Sequence, residues 1–288
     1  MSEGEAAHGV FRAFRGVKSR SKWLSSPSRL PRLKHLLWTL LNCTCVKESG
    51  RFVSRELRKA DGSPATAYRL RSSNLTINLR HRTGDIAIME KVFVRKWYEQ
   101  PEPVTARLES LGSPPRLLDL GSNIGLFSVL HLERYPEATI VGFEPDPFNL
   151  GVLQATIRAN RRESTWTVIE ACASNRPGFF SFAEGRENLS RKVLSEDETG
   201  DVVPAVDVFP YLEQADLAKI NIEGGEWDLL LDPRFVDLPV PVIVMEYHTF
   251  FCPQPDFHAL ATERLEAAGY SMRQVFLTED EGVLWAWK

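Results

Sequence analysis

The chain has 288 residues, of which 43% are hydrophobic and 25% are charged, with 18 glycines and 18 prolines. This composition excludes collagen-like, coiled-coil and wholly disordered proteins, and the length suits one large domain or two small ones. The net charge of −3 is divided unevenly, because residues 1–60 hold 13 Lys or Arg and 4 Asp or Glu, whereas residues 61–288 hold 22 and 34. A basic leader therefore precedes an acidic body.

Cysteine usage and hydropathy predict the compartment. The four cysteines are too few for a disulfide framework and lack the paired spacing of a zinc site, so we expect reduced thiols and no metal. The longest apolar stretch, residues 36–46, is shorter than the ~20 residues of a membrane span and lies too far into the chain for a secretory signal. We therefore interpret the protein as cytoplasmic, without a transmembrane segment.

The N-terminal part is predicted to comprise a basic mobile tail, residues 1–30, and a cap, residues 31–112. From residue 31, leucines recur at a spacing of three and four and predict an amphipathic helix. Its apolar face consists of Leu33, Leu36, Leu37, Leu40 and Leu41. Such a face most often docks on its own domain or on a dimer partner, so the cap is a candidate homodimer interface. The flanking basic residues leave contact with an anionic membrane open.

Two further elements complete the predicted cap. Alternating runs at residues 68–70 and 75–79, joined by a polar turn, predict a β-hairpin. Apolar residues on one side of residues 85–98 then predict a helix that ends before Pro101.

The hydrophobicity pattern of the chain changes at residue 113. Over residues 113–288, short apolar strands alternate with helices. Strands are predicted at residues 116–120, 139–143, 167–172, 217–222 and 240–245, and helices at residues 123–134, 147–160 and 256–268. This alternation predicts an α/β domain with a mainly parallel sheet covered on both faces. The last two strands, residues 270–277 and 283–287, are joined by too short a turn for a parallel pairing, so the sheet ends in an antiparallel hairpin.

The first strand of this domain leads into a glycine-bearing turn and a helix, an arrangement that lets a ligand approach backbone amides at the carboxyl edge of a sheet. Glu144 follows the next strand, where a carboxylate can accept hydrogen bonds from both hydroxyls of a ribose. A dinucleotide fingerprint would need glycine where Asn123 and Leu126 stand. Asp119 would repel a diphosphate but suits a zwitterionic amino-acid tail or a cation. The pattern therefore indicates S-adenosylmethionine.

Four segments resemble the FkbM family of class I S-adenosylmethionine-dependent methyltransferases. They are residues 119–125 (DLGSNIG), 144–145 (EP), 219–226 (KINIEGGE) and 244–246 (VME). Residues 83–98 are similar to the stretch that precedes the first motif in that family, and the resemblance covers about residues 68–288. The 219–226 element is its most diagnostic part.

The resemblance implies a Rossmann-like, seven-stranded class I methyltransferase fold and O-methylation of small molecules, sugars or natural products. It also implies the cofactor contacts. They are Asp119, Gly121, Asn123 and Gly125 for the methionine part, Glu144 for the ribose, Asp146 for the adenine rim, Ala173 and Ser174 beside the base, and Ser122 and Pro145 as further cofactor-binding residues. The chain departs from the family at Asn221, where Asp is common, and Asn cannot serve as a base.

Methylation of a hydroxyl needs a base, and the candidates at the strand ends are Glu223, Glu246 and His248, with Asn221 facing the acceptor. Glu223 is equally a candidate helix cap, and His248 a candidate structural histidine. The polar excursion over residues 186–201 is either a substrate lid or a solvated loop. Two other functions stay open: an RNA methyltransferase, suggested by the basic leader, and a non-catalytic cofactor-binding module, suggested by Asn221. The acidic body argues against nucleic acid.

Overall fold

A computed structural model of the protein describes residues 32–58, 64–183, 192–194 and 201–288, without the side chains of 181–183, 192–194 and 201. The predicted tail over residues 1–30 lies outside the described residues, as does most of the predicted loop over 186–201. Within the described parts of the chain, no helix has the length and apolar character needed to cross a membrane.

The elements follow the predicted alternation. The helices are α1 (Arg32–Asn42), α2 (Ser49–Leu57), α3 (Asp85–Met89), α4 (Glu102–Glu109), α5 (Leu126–Arg134), α6 (Pro147–Ala159), α7 (Phe209–Leu212), α8 (Glu226–Leu230) and α9 (Phe257–Ala267). The strands are β1 (Thr66–Arg69), β2 (Thr76–Leu79), β3 (Arg116–Leu120), β4 (Thr139–Phe143), β5 (Trp166–Ile169), β6 (Cys172–Ser174), β7 (Gly178–Ala183), β8 (Lys192–Leu194), β9 (Asp201–Asp207), β10 (Leu217–Ile220), β11 (Val242–His248), β12 (Ser271–Leu277) and β13 (Glu281–Trp287).

The main sheet has seven strands in the order β12, β13, β11, β10, β3, β4, β5. Neighbours from β11 to β5 are parallel, whereas β13 is antiparallel to both β11 and β12. The predicted parallel sheet with an antiparallel C-terminal hairpin is therefore confirmed, and so is the β1–β2 hairpin of the cap.

The third predicted strand, residues 167–172, is not one strand. β5 ends at Ile169, whose carbonyl accepts from the backbone N–H of Ala171 in a tight turn. The chain then enters β6, which pairs with β9 in a separate four-stranded sheet ordered β6, β9, β7, β8. Apolar periodicity could not distinguish one buried strand from two short strands that belong to different sheets.

Both faces of the main sheet are buried, since alternate residues of each strand enter different cores. In β3, Leu117 packs on one side with the cap and α5, whereas Leu118 packs on the other side with α8 and α9. Phe52 of α2 lies, fully buried, in the same core as Leu117 and Trp285. The cap and the sheet therefore share one apolar core.

Helix α1 packs in an unexpected orientation. Its leucine face was expected to dock, but Leu33 and Leu37 are 67% and 58% exposed, while His35 and Thr39 on the opposite face are buried. The polar face is buried because it has partners inside the cap, among them Glu56, which accepts from His35 at 3.0 Å. Docking of the leucine face on its own domain is thus wrong, and a homodimer through this face stays a prediction.

We predict that Phe52→Ala lowers the free energy of unfolding by about 3–5 kcal/mol, because truncation leaves a cavity in the core shared by the cap and the sheet. Urea unfolding followed by both tryptophan fluorescence and circular dichroism measures this change. Phe148→Ala is the matched control, since Phe148 is 65% exposed. If the cap unfolded at a lower urea concentration than the sheet, the two would not share one core.

Candidate active site

The pairing register of the main sheet brings four strand ends to one edge. Leu120, the last residue of β3, is paired with Phe143 at the end of β4 and with Ile220 at the end of β10. Ile220 in turn is paired with Met245 near the end of β11. The turns that follow these strands therefore lie side by side, as the carboxyl ends of parallel strands must.

The turn after β3 lies directly on the turn after β10. Gly121 has φ +77°, and a Cβ at this position would lie 1.9 Å from the backbone oxygen of Asn221. Gly125 has φ +84°, and its Cβ would lie 2.6 Å from Leu153. Position 121 therefore requires glycine because of the close backbone approach, and position 125 favours glycine because of its positive φ.

Glu144 joins this turn to the end of β4. Its carboxylate is buried and accepts from the backbone N–H groups of Asn123 at 2.7 Å and Asp146 at 3.0 Å. Burial raises the pKa of Glu144 to about 7, although these hydrogen bonds act in the opposite direction. Asn123 has φ +51°, a conformation that non-glycine residues seldom adopt and that is often found at functional sites.

Beneath the turn, Asp119 is fully buried and pairs within the chain. Its Oδ2 accepts from the Ser128 hydroxyl at 2.6 Å, and its Oδ1 lies 3.3 Å from the Lys219 ammonium. Lys219 also donates to the Gly121 carbonyl at 2.6 Å. These contacts stabilise the turn from below, so a direct contact of Asp119 with a ligand stays a prediction.

A buried cluster of charges lies at the end of β11, and its cation comes from the cap. Residues 90–94 form a π-helix rather than the α-helix predicted there. From this turn Lys91 donates to Glu246 at 2.9 Å and to Glu281 at 3.4 Å, and Tyr98 donates to the other oxygen of Glu246 at 2.5 Å. Burial raises the pKa of Glu246, but Lys91 and His248 outweigh that effect and hold it well below its ordinary value.

His248, at the end of β11, is held by Glu226. The backbone N–H and Nδ1 of His248 both lie 2.9 Å from Glu226 Oε1, while Nε2 is 3.8 Å from Glu246. Burial would lower the pKa of His248, but the hydrogen bond to Glu226 and the charges of Glu223, Glu226 and Glu246 raise it to about 9. Hydrogen bonding at Nδ1 leaves Nε2 as the nitrogen that exchanges a proton.

Glu223 and Asn221 lie in the turn after β10. Glu223 has φ +55°, and burial raises the pKa of its carboxyl. It does not cap α8: the turn N–H of Gly224 donates instead to Glu226, at 2.8 Å. The Oδ1 atom of Asn221 is buried without a hydrogen-bond partner. A buried polar atom of this kind lowers the stability of the fold, so its presence at this strand end needs an explanation.

This site lies within the residues that match a protein family. The model of the Methyltransferase FkbM domain matches residues 119–272, more than half of the chain. The chain belongs to this FkbM methyltransferase family. The match begins at Asp119 of the glycine turn and includes the whole cluster around His248, apart from the cap residues and Glu281.

Two curated proteins are similar to this FkbM methyltransferase. "Methyltransferase 1" of Beauveria bassiana is 26% identical over 186 residues, which is 54% of this chain and 72% of that protein. "Methyltransferase sdnD" of Sordaria araneosa is 28% identical over 160 residues, which is 43% of this chain and 62% of that protein. Among solved structures, "Methyltransferase FkbM" of Methylobacillus flagellatus KT has 15% identity and a TM-score of 0.45, covering 70% of this chain and 52% of that one.

The remaining predicted contacts are placed as follows. Asp146 caps α6 by accepting from the backbone N–H of Phe148 at 2.8 Å, next to Glu144 and Pro145. Ala173 and Ser174, predicted to follow the third strand, lie in β6. Their contact with a base stays a prediction.

Sequence reasoning missed the groups that support the predicted residues. They are Lys91, Tyr98, Lys219, Glu226 and Glu281. Lys219 and Glu226 stand in the quoted 219–226 motif, so the motif was a usable signal for them. Lys91 and Tyr98 stand in the 83–98 stretch that resembles the family, so that stretch was a usable signal for them. Glu281 had no signal, because the tertiary structure alone brings β13 to Glu246.

Glu246, His248 and Glu281 are also the three side chains that could hold a metal ion among the described residues, with donor atoms within 4.8 Å of one another. The ammonium of Lys91 already lies against both carboxylates. A divalent cation here would therefore have to displace Lys91.

We predict that Gly121→Ala destabilises the FkbM methyltransferase by more than the ~1–3 kcal/mol of an unfavourable φ, because the added methyl also overlaps the Asn221 carbonyl. Gly151→Ala is the matched control. Gly151 lies inside α6 with nothing within 4 Å of a Cβ, so alanine there should stabilise by about 0.5–1 kcal/mol. Thermal unfolding of both variants measures the difference, and equal melting temperatures would contradict the close approach of the two turns.

Proposed function

We propose that the protein is an S-adenosylmethionine-dependent methyltransferase that methylates a hydroxyl of a small-molecule, sugar or natural-product acceptor. Family membership supports methyl transfer. The observation that carries the proposal for a hydroxyl is the Glu226–His248 pair at the strand ends, because a hydroxyl must lose a proton when it is methylated. The four unpaired cysteines support our inference of a cytoplasmic protein.

The turn after β3 fits the proposed cofactor. Gly121, Ser122, Asn123 and Gly125 would lie against the methionine part. Their backbone N–H groups already donate to Phe143, Glu144 and Ser122, so the turn would contribute its shape rather than amide donors. Glu144, with Pro145 behind it, would accept from the ribose hydroxyls, and Asp146, Ala173 and Ser174 would border the base. Support comes from the two positive-φ glycines and from the buried carboxylate at the end of β4. When bound, S-adenosylmethionine supplies an electrophilic methyl group on a sulfonium.

His248 is the best placed of the three candidate bases. Both oxygens of Glu246 are engaged, one by Lys91 and one by Tyr98, and its pKa is held low, so it is a poor proton acceptor. Glu226 orients His248 through Nδ1 and stabilises the imidazolium that forms when Nε2 takes a proton. Glu223 and Glu246 would then supply negative charge around the sulfonium and the acceptor.

Asn221 supports a second candidate, a non-catalytic cofactor-binding module. The family commonly has Asp at this strand end, and Asn cannot take a proton. The intact Glu226–His248 pair favours the enzyme, with Asn221 Oδ1 as a hydrogen-bond acceptor at the site rather than a base.

We predict that Glu144→Ala weakens binding of S-adenosylhomocysteine by about 10–100-fold, the usual cost of losing hydrogen bonds to a charged group. Binding by the wild-type protein should strengthen about tenfold between pH 6 and pH 8, because the carboxyl, with a pKa of about 7, must ionise to accept from both hydroxyls. Glu144→Gln should remove this pH dependence. Isothermal titration calorimetry measures both effects, with exposed Glu163→Gln as the control. Unchanged affinity in Glu144→Ala would show that the ribose assignment is wrong.

We predict that turnover rises about tenfold per pH unit from pH 6 to pH 8, because only the neutral imidazole takes a proton and the pKa of His248 is about 9. His248→Gln should lower kcat by about 10²–10⁴-fold. Glu226→Gln should lower kcat less than His248→Gln does. It should also move the rise of turnover to lower pH, because the negative charge of Glu226, which raises the pKa of His248, is lost. Formation of S-adenosylhomocysteine with a panel of hydroxyl acceptors is the assay.

The control for that experiment is His258→Gln, because His258 lies on α9, contacts Tyr247 of β11 and is outside the proposed machinery. A flat pH profile in the wild-type protein would contradict the assignment of His248. Cofactor binding without S-adenosylhomocysteine formation from any acceptor would favour the non-catalytic module.

A further inference from the structure

The outward face of α1 is apolar and accessible. Leu33, Leu37, Leu40 and Leu41 follow one another at the spacing of a single helical stripe and are 67%, 58%, 44% and 49% exposed. Exposed apolar stripes of this kind mark surfaces that bind something, because single exposed leucines are common but contiguous ones are not.

The orientation of this stripe is determined by buried polar contacts. His35 pairs at 3.0 Å with Glu56, which is fully buried, and Trp38 donates to the buried carboxylate of Glu90 at 2.5 Å. Turning the leucines inward would break both contacts and leave two carboxylates buried without these partners. The leucine stripe is therefore held outward by the fold.

Charge identifies the partner. The sequence from Ala6 to Lys47, which includes α1, holds nine Lys or Arg and no Asp or Glu. A second copy docked on this stripe would bring two such basic segments together, so charge opposes a dimer. A nucleic acid would match the charge but leave the leucines in water. An anionic lipid surface satisfies both features, because it accepts leucines at the acyl boundary and basic residues among its headgroups.

We propose that α1 docks the protein on an anionic membrane surface, with Leu33, Leu37, Leu40 and Leu41 inserted at the headgroup boundary. The helix lies in the membrane plane and does not cross it. Trp38 contacts Glu90, the residue before Lys91, so docking through α1 places the part of the cap that reaches the candidate active site near the lipid.

Co-sedimentation of the full chain with vesicles tests the docking. We expect binding to vesicles with 30% phosphatidylserine to exceed binding to pure phosphatidylcholine at least about tenfold and to fall strongly in 0.5 M NaCl, because salt screens the headgroup charges. Leu37→Gln/Leu41→Gln should abolish binding without changing net charge. Leu231→Gln/Leu277→Gln is the matched control, since these leucines are 41% and 44% exposed on the catalytic body.

Several results would overturn the proposal. They include equal binding by both double variants, equal binding to both kinds of vesicle, and absence of binding by the wild-type chain. Sedimentation velocity in the same buffers tests whether the partner is a second copy of the chain. If the wild-type chain is a dimer that does not bind vesicles, and Leu37→Gln/Leu41→Gln converts it to a monomer, the stripe is a homodimer interface. If the wild-type chain binds RNA instead of vesicles and Leu37→Gln/Leu41→Gln abolishes that binding, the stripe is a nucleic-acid surface.

Discussion

The candidate active site depends on the close contact between two backbone turns, one after β3 and one after β10. Gly121 has no side chain, so its turn lies against the Asn221 carbonyl, and Lys219 donates to the Gly121 carbonyl from below. This contact brings the two segments of the family signature, residues 119–125 and 219–226, within a few ångströms of each other. A side chain at position 121 would separate them, and with them the cofactor turn from the residues proposed to act on the acceptor.

The second determinant is a buried cation supplied by the cap. Lys91 lies between Glu246 and Glu281 and neutralises part of a cluster that also holds Glu223, Glu226 and His248. Carboxylates at this density are costly to bury without a cation, because each loses its hydration. The cap is therefore part of the electrostatics of the site and not an appended segment. Its π-helix is the local irregularity that carries Lys91 to the cluster.

The cap also shows where sequence patterns mislead. The leucine spacing of α1 correctly predicted a helix. Of the two predicted partners for its apolar face, its own domain was wrong, because Glu56 and Glu90 provide buried partners for the polar face instead. Likewise, the apolar run over residues 167–172 predicted a strand but could not show that Cys172 belongs to a second sheet. In both cases local periodicity indicated the element, and distant residues decided its partners.

The sequence by itself determined the order of the strands and helices along the chain, the antiparallel hairpin at the C-terminus, the turn with Gly121 and Gly125, and the carboxylate of Glu144 after the next strand. These features depend on local periodicity, glycine geometry and short connections. The tertiary structure alone decided which carboxylate engages which partner. Glu226 pairs with His248 across 22 residues of chain, and Lys91 with Glu246 across 155. Such pairs are set by packing and by the need to neutralise buried charge, and neither is visible in the spacing of residues along the chain.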